Sequence, residues 1–425
     1  MTDDQVLITP SGPVTASIRP PGSKSITNRA LVCAAMADGS STLAGALDSE
    51  DTQVMMQALV RLGLKVEHDA DSTEVRITGC GGRLPCSRAD LFVVNSGTTI
   101  RFLTAMLAAC QGEFRLDGNE RMRQRPIGPL ASALNQLGAK VSGEQNEDCP
   151  PVLISASGLA GGSATVRGDL SSQFLSGLLI ACPYAVGAVE LSVDGPLVSQ
   201  PYIRMTLKVM AAFGVAIDGS DLSHFSITGG QRYHGIRYTI EPDASAASYF
   251  WGAAAVTGGE VTVEGLTRDS LQGDVAFCEC LARMGCRVDH GVDAITVRGP
   301  ALRGIDIDMN AISDTVQTLA AVALVAEGPT TITGVAHIRH KETDRIGDLA
   351  RELRKLGAEV DELPDGLKIT PGDPRGAVVE TYNDHRMAMS LALVGLKVPG
   401  VVIANPACTR KTYPGFFVDL ATLRA

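Results

Sequence analysis

Apolar, alanine-rich runs recur six times along the chain at a spacing of roughly 70–75 residues, each opened by a short polar or charged motif and closed by glycine. The closing glycines are Gly39, Gly112, Gly187, Gly258, Gly328 and Gly400. The openings read Gly22-Ser-Lys-Ser25, Asn95-Ser-Gly-Thr98, Ser171-Ser-Gln173, Asp243-Ala-Ser245, Ser313-Asp314 and Asn383-Asp-His-Arg386. A second mark follows each of the first five runs: a helix-like stretch ending in Leu, Met or Phe, then glycine, with Val or Ile three residues later. Those glycines are Gly63, Gly138, Gly214, Gly285 and Gly357. Self-similarity at a fixed period predicts copies of one supersecondary unit, here six. The motifs that differ between copies, at the helix starts, are where chemistry is expected.

Each copy reads as a helix beginning at the motif, a strand or two, a second helix ending at the marker glycine, and a further strand. Val6–Ile8, Glu74–Ile77, Ala164–Val166, Val189–Val193, Tyr238–Ile240, Val261–Val263 and Ile295–Val297 have the β-branched alternation of strands. Leu59–Gly63, Leu134–Gly138 and Leu353–Gly357 fit amphipathic helices with glycine at the C-terminal cap. Six copies divide into three and three, with the boundary near Gly235–Asp243. The sixth is cut short after Phe416–Leu423, and Val6–Ile18 is available to supply its missing strand. The expected domains are therefore 21–240 and a discontinuous partner of 1–20 plus 241–425.

Bulk properties narrow the function. A chain of 425 residues calls for two or three domains, and 45% hydrophobic with 20% charged residues is a globular composition. A net charge of −10 argues against a general nucleic-acid binder but leaves room for small anions held by local cations. Met1–Gly12 has two early aspartates and no apolar core of a secretory signal. Thr318–Ala326 and Met387–Leu396 are about half a membrane span. Ten scattered cysteines without metal-ligand spacing point to reduced, mostly buried thiols in a cytosolic protein.

The helix-start motifs are rich in groups that capture anions. Dipoles and free backbone N–H groups at helix N-termini already favour negative charge. Pro21–Arg29 adds Lys24, Ser25 and Arg29, the last four residues beyond Ser25 and so on its face. Asn95–Arg101 offers Gly97 and hydroxyls such as Thr98, although a plain helix cap explains that motif as well. Arg121, Arg123 and Arg125 alternate in a turn-like context, and guanidinium groups suit bidentate phosphate or carboxylate. In the C-terminal half, Lys341 and Arg345 are placed on one helix face, with Glu342 beside Lys341 as a group that holds charge or exchanges a proton. His385 and Arg386 stand directly before an apolar run, and Lys411 precedes a Thr-Tyr-Pro turn. Asp314, in an uncharged stretch, reads as an N-cap, a catalytic group, or both. Together Lys24, Arg29, Arg101, Arg125, Lys341, Arg345, Arg386 and Lys411 give the expected cleft eight cations within an acidic chain. Neutralisation would fall to these cations, and proton transfer to carboxylates such as Asp314 and Glu342.

Taken together, Pro21–Arg29, Asn95–Arg101, Arg125–Gly128, Ser171–Gln173, Lys341–Arg345, Asn383–Arg386 and Lys411–Pro414 resemble, in order and spacing, the 5-enolpyruvylshikimate-3-phosphate synthase family of the shikimate pathway. The resemblance covers almost the whole chain. It implies an α/β (α+β) fold of two similar domains, each of three βαβαββ units around buried parallel helices, an inside-out α/β barrel. It also implies domain closure around shikimate 3-phosphate and phosphoenolpyruvate, with no cofactor or required metal, in a cytoplasmic, monomeric enzyme without nucleic-acid or membrane partners. By motif, Lys24 would bridge both substrates. Ser25, Arg29, Ser171, Ser172, Gln173, Ser199, Tyr202, Asp314, His337 and Lys341 would hold shikimate 3-phosphate. Arg125, Arg345, His385, Arg386 and Lys411 would bind phosphoenolpyruvate, with Gly97, Thr98 and Gln173 at its edge. Asp314 and Glu342, with Lys24, would carry the chemistry, an addition–elimination through a tetrahedral intermediate. Two positions depart from the family. His337 stands where many members have asparagine, and its protonation is expected to add a pH-dependent term. Phe102 stands where proline is common, so a shift of the Gly97–Arg101 helix start is expected to bear on phosphoenolpyruvate and on the competing herbicide glyphosate.

Three other readings compete. The related transferase acting on UDP-N-acetylglucosamine carries a cysteine ahead of its arginine-proline motif, and Asp117–Gln124 has none. A non-catalytic anion-binding scaffold would not need Asp314 and Glu342 beside the cations. The RNA 3′-phosphate cyclases, which share related units, would require an extended basic surface.

Overall fold

The computed structural model describes residues 4–69 and 71–423. Residues 1–3, 424 and 425, which fall in the expected discontinuous domain, lie outside the described residues. Two compact units divide the chain: one runs from Gly22 to Ile240, and the other joins the segment ending at Pro21 to the chain from Glu241 onward.

In the continuous unit the apolar runs form three buried helices, α1 (Lys24–Met36), α2 (Gly97–Ala108) and α3 (Ser172–Ala181). Each starts at a serine N-cap: Ser23, Ser96 and Ser171 accept from the backbone N–H of the second or third residue of their helices. Such caps satisfy donors that the first helical turn leaves without partners, typically worth about 1 kcal/mol each. The other unit repeats the arrangement with α4 (Ala244–Thr257), α5 (Val316–Ala323) and α6 (His385–Gly395). These helices are buried around nearly their whole circumference, so apolar residues recur on all faces of the runs, with polar ones such as Asn28, Arg29 and Arg101 concentrated toward their starts. Each fully buried Leu, Ile or Val contributes roughly 1.5–3 kcal/mol.

Gly252 on α4 marks how closely the three helices of the discontinuous unit meet. A Cβ there would lie 2.9 Å from Leu393 Cδ1 on α6 and 3.0 Å from Thr318 Cγ2 on α5. One turn away, Ser248 and Thr318 (3.1 Å) and Thr318 and Ser390 (3.2 Å) join the same helices by hydroxyl hydrogen bonds.

Around the buried helices the strands form six separate sheets, three per unit, and no barrel closed by hydrogen bonds occurs among the described residues. The sheets are mixed. Ser40–Ala44, for example, pairs parallel with Arg237–Thr239 and antiparallel with Glu74–Thr78. In the discontinuous unit Thr15–Ile18 pairs parallel with Glu260–Glu264, and Gln5–Leu7 pairs antiparallel with Val402–Ala404. The N-terminal residues thus complete two sheets of the C-terminal half. The marker glycines Gly63, Gly138, Gly214, Gly285 and Gly357 all adopt φ between +88° and +107° just past their helices, a conformation that favours glycine. No helix among the described residues is long and apolar enough to cross a membrane. All ten cysteines are free thiols.

Candidate active site

In the continuous unit many of the candidate side chains lie at or near the starts of α1, α2 and α3. Arg29, one turn into α1, is only 2% exposed. Its Nε donates to Thr206 (2.8 Å), Nη1 to the Ser25 carbonyl (2.9 Å), and Nη2 to Ser176 (3.2 Å) and the Tyr202 carbonyl (3.3 Å). The Phe102 and Tyr202 rings lie 5.2 and 5.9 Å from the guanidinium. Burial lowers its pKa to about 10, which still leaves a cation at neutral pH. Phe102 lies inside α2 with its ring against Arg29, and Ser96 caps the helix start at Thr99 N.

Gln173 joins two helix starts. Its Nε2 donates to Thr98 Oγ1 (3.0 Å), and its Oε1 accepts from Arg101 Nη1 (2.6 Å). Arg101 also donates to the Pro126 carbonyl (3.0 Å), which fixes the loop before Gly128. On that loop Arg125 is buried, with Nη1 donating to the carbonyl and side-chain oxygens of Asn95 (3.2 Å each). The other two arginines of the alternating set differ from it. Arg123 pairs with Asp117 (2.6 Å), and Arg121 donates to Gln124 (3.2 Å). Ser171 and Ser172 are buried at the start of α3. Ser199 takes a left-handed conformation (φ 54°) before the helix Gln200–Ala212, an uncommon strain for a residue other than glycine. Lys24 is the first residue of α1, with Ser25 following it.

In the discontinuous unit one arginine organises the cluster. Arg345, 2% exposed, donates from Nε to Asp384 (2.7 Å), from Nη2 to Glu342 (2.9 Å) and Asp384 (3.2 Å), and from Nη1 to Asp314 (3.4 Å). Burial opposes its charge, but Asp384 and Glu342 more than offset this and raise its pKa. Arg386 grips Asp314 twice, at Oδ2 (2.6 Å) and at the carbonyl (2.8 Å). Lys411 donates to Glu342 Oε1 (2.6 Å). Asp314, Glu342 and Asp384 are thus interlocked with Arg345, Arg386 and Lys411. His385 is buried at the first position of α6, its Nδ1 3.7 Å from Asp384.

Three expectations need correction. Lys341 and Arg345 do not share a helix face: a 3-10 turn ends at His340, and the next helix begins only at Gly347. The intervening bend carries Glu342 to Arg345 and Lys411. Asp314 is not a helix cap, since it lies in the 3-10 segment Asn310–Thr315 and its carboxylate meets Arg345 and Arg386. His337 adds no pH term near neutrality. Burial, then the Lys341 charge, push its pKa down to about 3, and its Nε2 lies 3.0 Å from Ser313 Oγ. Asp384, which caps α6 and pairs with Arg345, is a further residue of the cluster; its signal in the sequence is an acidic residue directly before His385 and Arg386. Among the described residues no cluster of His, Cys, Asp and Glu could hold a metal ion.

The arrangement can bind compact polyanions with fixed guanidinium and ammonium groups, and it sets carboxylates beside them for proton transfer. Comparison with known proteins agrees in length and kind. The family model described as EPSP synthase (3-phosphoshikimate 1-carboxyvinyltransferase) matches residues 8–420. A 3-phosphoshikimate 1-carboxyvinyltransferase of Nostoc punctiforme is 50% identical over 406 residues, 95% of each chain. One from Shewanella baltica strain OS185 is 46% identical over 423 residues, 99% of each. The solved EPSP synthase of Acinetobacter baumannii superposes with a TM-score of 0.83 at 28% identity, covering 99% of this chain and 98% of that one. The enolpyruvyl transferase NikO from Streptomyces tendae shares the fold, with a TM-score of 0.80 at 20% identity over 99% of this chain and 97% of its own.

Proposed function

The chain belongs to the EPSP synthase family and catalyses 3-phosphoshikimate 1-carboxyvinyl transfer in the shikimate pathway to aromatic amino acids; from that premise we propose how its residues divide the work. Lys24, Ser25, Arg29, Ser171, Ser172, Gln173, Ser199, Tyr202, Asp314, His337 and Lys341 bind shikimate 3-phosphate. Arg125, Arg345, His385, Arg386 and Lys411 bind phosphoenolpyruvate, with Lys24, Gly97, Thr98 and Gln173 adjoining it. The continuous unit is the shikimate 3-phosphate side, and the discontinuous unit carries the main phosphoenolpyruvate cations and the proton-transfer residues. The enzyme acts as a cytoplasmic monomer.

The observation that carries this reading is the interlock of Asp314 and Glu342 with Arg345, Arg386 and Lys411. An arriving phosphate and carboxylate compete for the same cations. As they take Arg386 and Lys411, Asp314 and Glu342 are released from those ion pairs. Substrate binding thereby prepares the acid–base pair. The 5-hydroxyl of shikimate 3-phosphate gives up its proton and attacks C2 of phosphoenolpyruvate while C3 gains a proton, forming the tetrahedral intermediate. Loss of a proton from C3 then accompanies C–O cleavage and departure of phosphate, leaving the enol ether. Asp314 and Glu342 handle these protons, and the cations stabilise the developing phosphate charge.

Phosphate release tests the reading, with phosphoenolpyruvate plus shikimate 3-phosphate run beside phosphoenolpyruvate plus UDP-N-acetylglucosamine. Release with the first acceptor alone is expected. Release with the second alone would move the chain's activity to the sister transferases.

A further inference from the structure

Asp274 lies outside every motif the sequence singled out. It sits in the 3-10 turn Gly273–Ala276, which packs against α4 and against the 3-10 segment that carries Asp314. The residue is 3% exposed, and Ser245, in the first turn of α4, donates a hydrogen bond to its Oδ2. The preceding residue fastens the same helix start. Gln272 Nε2 donates to the Pro242 carbonyl (2.6 Å) and to Glu241 (3.2 Å), while its Oε1 accepts from Ala244 N (3.0 Å). Residues 272–274 therefore clasp the chain at 241–245.

The charged groups around Asp274 come from each neighbouring element. Asp243 caps α4, and Tyr249, four residues beyond Ser245 on the same face of α4, accepts from Arg386 Nη1 of α6 (3.5 Å), while Asp314 lies on the 3-10 segment. On the helix that follows, Phe277–Arg283, Glu279 is exposed and turned toward Arg268 and His290 (3.8 Å each). Burial, then the charge of Asp314, raise the Asp274 carboxyl to about 7, while Ser245 and Arg386 pull it back down.

We propose that Asp274 is a positioning residue that sets how strongly Arg386 captures an anion. Arg386 already answers to Asp314 (2.6 Å). While Asp274 keeps its proton, it holds Ser245 and the start of α4 without adding charge. Once ionised, it adds to the negative charge that Asp314 already sets against this guanidinium, and an incoming phosphate binds less well. The inference rests on the reading that Arg386 binds phosphoenolpyruvate.

The test is the KM for phosphoenolpyruvate from pH 5.5 to 9 in wild type and in Asp274→Asn, which retains a neutral hydrogen-bonding side chain. The ratio of the two KM values removes the ionisation of phosphoenolpyruvate itself. Relative to wild type, the variant KM is expected to match below pH 6 and to fall on the order of fivefold by pH 8.5, with kcat at pH 6 little changed. A purely structural role would shift the ratio equally at every pH, and that result would overturn the proposal. Ser245→Ala provides a second route: without its hydrogen bond, Asp274 ionises less readily, so the alkaline rise in KM should move to higher pH. An unmoved rise would count against the assignment even if Asp274→Asn failed to fold. Wild type inactive with both substrates would sink the functional reading beneath it. Active wild type with parallel pH curves would sink the role of Asp274 alone.

Discussion

At the scale of single residues, the cluster around Arg345 is held by Asp384 as much as by the two carboxylates assigned to proton transfer. Asp384 is wholly buried, accepts from Arg345 Nε and Nη2, and caps α6 through Arg386 N (2.9 Å). Asp384→Asn keeps a competent cap but removes the charge, so it isolates the ion pair. Breaking a buried pair on one side costs about 3–5 kcal/mol, an upper bound here because Glu342 and Asp314 still neutralise Arg345. A loss of about 2–3 kcal/mol in urea unfolding is expected, with kcat/KM for phosphoenolpyruvate reduced at least tenfold. Unchanged stability would mean that Arg345 is positioned by its other partners. His337 offers a pH test of opposite character. Its pKa of about 3 in the fold lies below the ordinary value near 6.5, so the unfolded chain binds the extra proton first. Its contribution to stability is complete above about pH 6.5 and is lost as pH falls toward 3. Melting curves at pH 7 and 4.5 should therefore differ less in His337→Asn than in wild type; an equal difference would place the acid sensitivity elsewhere.

At the scale of elements, the helix starts set the geometry of the candidate site through the backbone. A Cβ on Gly97, the first residue of α2, would overlap the guanidinium of Arg125. Gly97→Ala is expected to fold, because alanine suits a helix, yet to push Arg125 aside and raise the KM for phosphoenolpyruvate about tenfold, a change of about 1.4 kcal/mol. Steady-state kinetics check this, and an unchanged KM would show that Arg125 has room to move. The same elements explain what the chain disclosed before its structure was known. Apolar runs with caps and left-handed glycines are local signals, so the buried helices and their starts were legible. The bend at Lys341–Ile346 was not, because a mixed-charge stretch has the same spacing whether it coils or turns. Nor was Asp274, whose partners Ser245 and Asp314 are far off in sequence and meet it only through packing.

At the scale of the molecule, the two units differ in how their chains are assembled. The continuous unit is expected to fold alone as residues 22–240, since its three sheets and three buried helices come from one segment. A fragment beginning at residue 241 lacks Gln5–Leu7 and Thr15–Ile18, which form the edges of two sheets. It should show poorly dispersed NMR spectra or early melting, and recover when residues 1–21 are supplied as a fused or added peptide. Native-like melting without them would make those edge strands dispensable. The same connectivity has a consequence for synthesis. A chain growing from its N-terminus makes Gln5–Leu7 first, yet its partner Val402–Ala404 emerges about 400 residues later. At roughly 5–20 residues per second, that is a wait on the order of 20–80 seconds. The continuous unit can finish folding in the interval, while the earliest strands on the ribosome travel with their backbone groups open to whatever chaperone or neighbouring edge meets them first.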